Sequence, residues 1–160
     1  MNIFIENHQK LLRSLLSHNV DFIIIGGYSV IFHGYLRTTG DIDIWLKPDN
    51  GNKLKLKSAL FDFGIDFDVL STLDSVDFTQ HVAFHIDDVP ERIDFLTRIN
   101  LVEYAEADKM KVIGEFDGLV LPFLHLNHLV LSKLNTGRMK DLADIDELQR
   151  INRNNRDSIK

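Results

Sequence analysis

The chain has 160 residues, 44% of them apolar and 26% charged, enough for one packed domain. Eighteen basic against 24 acidic residues leave a net charge of −6, which argues against indiscriminate polyanion binding but leaves room for a local basic groove. There is no cysteine, no apolar run near the roughly 18 residues of a membrane span and no secretory-signal pattern at the start, so disulfides and thiolate chemistry are excluded and a cytoplasmic domain without membrane contact is expected.

Leu11/Leu15 and Leu12/Leu16 are four apart, which predicts an amphipathic helix ending near Ser17–Asn19. The β-branched run Phe22-Ile23-Ile24-Ile25 reads as a buried strand closed by Gly26-Gly27, with a short helix over Tyr28–Gly34 and a loop at Arg37–Gly40. Asp41–Leu46 alternates and reads as a strand, Pro48–Gly51 as a turn and Asn52–Phe63 as a helix. Asp66–Leu70, His81–Ile86 and Arg92–Leu96 read as further strands, while Ile99–Lys109 is ambiguous. Asp117-Gly118 between Lys111–Phe116 and Leu119–Phe123 signals a hairpin. Two helices, His125–Leu134 and Met139–Ile151, precede a polar tail, Asn152–Lys160, expected to fray. The fold class is α+β (mixed α/β): a small mixed sheet flanked by helices. It forms one domain over 1–160, with a core of about 20–124, a helical segment of about 125–151 and a tail of 152–160.

The chemistry concentrates in Gly26-Gly27-Tyr28-Ser29, Asp41-Ile42-Asp43 and Arg92-Ile93-Asp94-Phe95. Two carboxylates at i and i+2 on a strand share a face, about 7 Å apart. A core tolerates no such unpaired acids, so they need solvent or cations. Asp94 repeats the alternation on another strand, and if the two strands are neighbours the three acids converge. Hard oxygen donors of this kind suit Mg2+ (or Mn2+). Glycines between a strand and a helix leave backbone N–H groups open to a phosphate, and Ser29 adds a hydroxyl. Together these make a site for nucleoside triphosphate chemistry, with two metal ions activating a hydroxyl and neutralising pyrophosphate.

This order of elements resembles the nucleotidyltransferase fold of the DNA polymerase β type. The closest likeness is to small bacterial nucleotidyltransferases of the abortive-infection toxin group. Those carry a C-terminal Lys, then Gly-Arg-x-Lys-Asp, then Asp, as in Lys133, Gly137-Arg138-Met139-Lys140-Asp141 and Asp144 here. The likeness covers roughly residues 20–148. It implies transfer of a nucleoside monophosphate from an NTP such as ATP to an acceptor hydroxyl. Asp41 and Asp43 would hold both metals, and Asp94 would hold the catalytic metal and accept the acceptor's proton. Gly26, Gly27 and Ser29 would bind the β/γ-phosphates, and Lys133, Arg138 and Lys140 would steady the triphosphate. Asp141 and Asp144, three apart, would orient those basic side chains.

The acceptor stays open among tRNA or another RNA, a protein side chain and a small hydroxylated molecule such as an antibiotic. A partner protein or a homodimer is also compatible with so small a chain. The alternative is a non-catalytic member acting as a binding or antitoxin-like partner; three retained acids, which repel each other without metal, count against it. The seven histidines read as structural or surface groups, since His81 and His85 lie too far apart on a strand for one metal. Phe61, Phe63 and Phe67 read as core, Lys47, Lys53, Lys55 and Lys57 as a solvated helix face, and Asp94 has Arg92 or Arg98 as possible ion-pair partners.

Overall fold

Leu11, Leu12 and Leu15 recur at helical spacing, and α1 (Glu6–Ser17) buries all three. The computed structural model describes residues 3–88 and 90–159. β1 (Phe22–Ile25) is buried at every position, as an unbroken apolar run requires when both sheet faces are covered. α2 (Gly26–Phe32) begins on the glycines themselves, two residues before the expected start. β2 (Ile42–Leu46) follows. In α3 (Asn50–Phe63) the Asp49 carboxylate accepts the Asn52 N–H at 2.6 Å, and Gly64 closes the helix with a left-handed φ of 118°.

Asp66–Leu70 is not a strand. It forms α4 (Phe67–Ser71), running into a 3-10 turn at Thr72–Ser75. Leu70 and Leu73, three apart, are buried while Phe67 and Val69 point outward, so the burial period is helical rather than alternating. Two of the three expected core phenylalanines are also on the surface, Phe61 at 57% and Phe67 at 67% exposure, whereas Phe63 is buried. Lys53 is not a solvated lysine. Its stem is buried, its Nζ donates to the Val76 carbonyl at 2.7 Å, and it lies over the Phe78 ring.

β3 (Ala83–Ile86) and β4 (Ile93–Leu96) come next, and the ambiguous stretch resolves into α5 (Tyr104–Met110). β5 (Val112–Phe116) and β6 (Leu119–Phe123) form the expected hairpin, with Asp117 and Gly118 both at positive φ. α6 (Leu126–Lys133) and α7 (Met139–Ile159) complete the order. The predicted fraying tail is helical through Ile159, and Lys160 lies outside the described residues. A Cβ on Gly34 would lie 3.7 Å from Ile151 Cδ1, so α7 still passes close to the end of α2 at that position.

Among the described residues six strands form one sheet in the order β3-β4-β2-β1-β6-β5. β2 runs parallel to β4 and β1 parallel to β6, and the other neighbours are antiparallel. Ile24, Ile44 and Phe95 face a core closed by Leu11 and Leu15 of α1 and Leu56 and Leu60 of α3. Ile23 and Trp45 face a second core with Tyr104 of α5, Leu129 of α6 and Leu148 of α7. Period-two alternation therefore sends Asp43 and Asp94 to this second face. No helix among the described residues is long and apolar enough to cross a membrane.

Candidate active site

The parallel pairing of β2 and β4 sets Asp43 directly beside Asp94. Asp41 stands just before β2, and all three acids line one cavity of about 860 Å³. The juxtaposition expected from alternation on neighbouring strands is thus present. Asp43 feels it most. Burial first, then the charges of Asp94 and Asp41, push its carboxyl up from 3.8 to about 6, while Lys133 and Lys140 pull it back. Asp94 is covered by Arg92, whose Nε lies 3.0 and 3.2 Å from its two carboxylate oxygens and whose Nη2 lies 2.9 Å from one of them.

Gly26 and Gly27 line the same cavity, each for a separate steric reason. Ile25 pairs with Asp43 across the strands, so the chain leaves β1 directly against that carboxylate. Gly26 adopts a φ of +66°, and a Cβ there would overlap Asp43 Oδ2. Gly26→Ala is therefore expected to cost about 1–2 kcal/mol through backbone strain alone and to displace the Asp43 carboxylate. Urea unfolding together with a transfer assay reads both effects. A Cβ on Gly27 would come within 2.5 Å of Thr39 Oγ1 and 3.3 Å of Arg37 Nη1. Its bareness thus admits the Arg37–Thr39 loop.

Ser29 is a correction. It is fully buried within α2 rather than lining the cavity, and its hydroxyl has no hydrogen-bond partner among the described residues.

The C-terminal helices supply the opposite wall. Lys133, at the end of α6, is buried, with Nζ 3.4 Å from Asp141 and 3.0 Å from Asp144. Arg138 grips Asp141 through two bonds of 2.8 and 3.1 Å, and the Thr136 hydroxyl donates to the same carboxylate. Asp144 also holds Arg37 in a two-pronged pair at 3.0 and 3.1 Å. Asp141 and Asp144 thus orient basic side chains that line the cavity: Arg37, Lys133 and Arg138. Lys140 lines it with no ion-pair partner among the described residues.

Arg37 is the functional candidate that the motifs do not reveal. Its partner lies 107 positions away in sequence, and its only local signal is a basic residue between the glycines and the acids. His85 is a second such candidate. It pairs with Asp94 across β3 and β4, and it lines the cavity.

The donor set fits a hard divalent cation: three carboxylates on one wall, one of them crowded enough to hold its proton to about 6. Among the described residues no three acid or histidine side chains already stand as a ligand cluster. The third carboxylate is held by Arg92 at 2.9 Å.

The sequence profile of a family described as "Nucleotidyltransferase of unknown function (DUF6036)" matches residues 4–160. The chain belongs to this family. The nucleotidyltransferase fold is shared with a putative nucleotidyltransferase from Thermotoga maritima, TM1012, at 16% identity and a TM-score of 0.58, covering 89% of this chain and 90% of that one. It is shared also with the lincosamide antibiotic adenylyltransferase LnuA in its lincomycin-bound form, at 15% identity and 0.52, covering 94% and 99%. The antibiotic-resistance factor ANT(2'')-Ia, bound to adenylyl-2''-tobramycin, matches at 12% and 0.51, covering 96% and 97%. No curated protein matches the chain in sequence. Membership of a nucleotidyltransferase family, with a cavity lined by carboxylates and basic groups, supports enzymatic nucleotidyl transfer in general.

Proposed function

We propose that the cavity transfers a nucleoside monophosphate from an NTP to an acceptor hydroxyl and releases pyrophosphate. The observation that carries this is the register of Asp43 on Asp94, facing a wall of basic side chains fixed by buried aspartates. Asp41, Asp43 and Asp94 would hold Mg2+ or Mn2+, which on binding supplies Lewis acidity at the α-phosphate and lowers the pKa of the attacking hydroxyl. The hydroxyl oxygen bonds to the α-phosphorus, the bond from that phosphorus to the pyrophosphate oxygen breaks, and the hydroxyl proton passes to a carboxylate, Asp94 in this assignment.

Arg37, Arg138 and Lys140, with the Gly26-Gly27 turn, receive the charge that develops on the leaving pyrophosphate. Lys133 is buried between Asp141 and Asp144, so its part is to fix that wall as well as to present charge. The LnuA and ANT(2'')-Ia complexes carry antibiotic ligands, which makes a small hydroxylated acceptor a reasonable class to test.

Thermal unfolding with each Mg-NTP, paired with chromatography of α- and γ-labelled NTP, tests the proposal. Stabilisation by at least one Mg-NTP, pyrophosphate as the labelled product, and loss of both on chelation or in Asp41→Ala/Asp43→Ala are expected. The Arg92–Asp94 pair is the observation favouring a non-catalytic binding protein. That reading prevails if no Mg-NTP stabilises the protein at millimolar concentration.

A further inference from the structure

The cavity does not stop at the three acids. It passes His85, crosses the apolar floor of Ala83 and Leu96, and meets an outer hollow of about 580 Å³. His81, Arg98, Ile99 and Asn100 line both spaces, so the two adjoin along one groove. The backbone they share is braced. Thr97 is buried, its hydroxyl donates to the Gln80 carbonyl at 2.6 Å and accepts the Val82 N–H at 2.8 Å, and its own carbonyl accepts from the Trp45 indole at 3.1 Å. Asn100 Nδ2 donates to the Leu134 carbonyl at 2.8 Å, tying the loop to the end of α6. Arg98 and His81 are thus carried on fixed backbone on either side of Thr97.

Charge separates the two ends of the groove. Four of its cations are matched by aspartates: Arg37 by Asp144, Lys133 by both Asp141 and Asp144, Arg138 by Asp141, and Arg92 by Asp94. Lys140 acts on Asp43 at the inner end. Arg98 is left over. Its side chain has no ion-pair or hydrogen-bond partner among the described residues, and Glu103, the one acid lining the outer hollow, makes no ion pair with it. Arg98 is exposed at the mouth of the hollow, and its unmatched guanidinium has the planar fork that suits a phosphate or carboxylate. A polycation would have to enter past Arg98 with only Glu103 to receive it.

We propose that the outer hollow is the acceptor subsite and that it takes a hydroxyl compound carrying a phosphate group, which Arg98 binds, in preference to a polycationic acceptor. This rests on the nucleotidyl-transfer reading and names its acceptor class. The phosphate could belong to a small sugar phosphate or to the end of an RNA strand, and the chemistry at Arg98 is the same.

The test uses the full chain with Mg2+ and a non-hydrolysable NTP analogue, titrated calorimetrically with ribose 5-phosphate, a short oligoribonucleotide or tobramycin; labelled NTP then measures transfer to each. Binding and labelling of at least one phosphate-bearing probe, and neither with tobramycin, is the expected result. Ribose 5-phosphate alone points to a small acceptor and the oligonucleotide alone to an RNA end. Arg98→Glu should weaken the phosphate probe by about tenfold or more, with Arg98→Lys in between. Binding of neither phosphate probe at millimolar concentration, preference for tobramycin, or an Arg98→Glu variant that binds as the parent does overturns the assignment. In each of these cases an intact Mg-NTP shift leaves the nucleotidyl-transfer reading standing, and loss of that shift in the parent protein removes both.

Discussion

Asp43→Asn is expected to abolish nucleotidyl transfer and, in the metal-free protein, to raise stability at neutral and alkaline pH. The two effects share one cause. Burial and two neighbouring carboxylates raise the Asp43 carboxyl from 3.8 to about 6, so the fold favours its protonated form. A raised acid stabilises fully below its unfolded pKa, and that contribution is lost as pH rises through the folded value. At pH 8 the ionised group therefore costs on the order of 3 kcal/mol. Asparagine removes the charge but keeps the shape beside Gly26, so a gain of about 1–2 kcal/mol survives the imperfect fit of the amide. Urea unfolding at pH 8 and near pH 4 separates the cases, since the variant should exceed the parent at pH 8 and approach it near pH 4. Equal stability at pH 8, or transfer at the parental rate, defeats this account of the site.

The second large effect is expected at Asp144→Ala. Asp144 is 1% exposed and holds both Arg37 and Lys133. Removing it strands Arg37, which has little access to water, and leaves Lys133 with Asp141 alone, which costs about 3–5 kcal/mol. The KM for NTP should rise as well, because Arg37 loses both bonds that aim it. Asp144→Asn, which keeps hydrogen-bonding capacity without charge, should fall between. Arg150→Ala serves as the contrast on the same helix. Its pair with Glu147 is solvent-exposed, so the change should stay within about 0.5 kcal/mol. Thermal unfolding of the three variants side by side measures the ordering.

The sheet centre and its acids are legible from sequence because period-two alternation fixes both strand and face. Asp41-Ile42-Asp43 and Ile93-Asp94-Phe95 show which residues point together, and the structure adds that β2 and β4 are neighbours in register. Local patterning fails where burial is one-sided over a short stretch. Phe67-Asp68-Val69-Leu70 imitates alternation, yet Leu70 and Leu73 carry the inward face and the segment is helical. It fails again in α7, whose last turns carry so few apolar side chains that periodicity has nothing to register. Ser29 sits beside a plausible phosphate loop in sequence, but one turn of helix carries its hydroxyl inward. The Arg37–Asp144 pair joins residues too distant for any motif, so only the folded chain reveals it.

The Arg37–Asp144 pair also makes the charge balance of the cavity depend on the docking of α7. A polypeptide ending before Met139 contains both glycines and all three carboxylates of the sheet, yet it lacks the aspartates that neutralise Arg37 and Lys133. The basic side of the cavity is therefore assembled only once α7 lies against α6 and reaches the loop that carries Arg37, so undocking of that one helix would release both cations together.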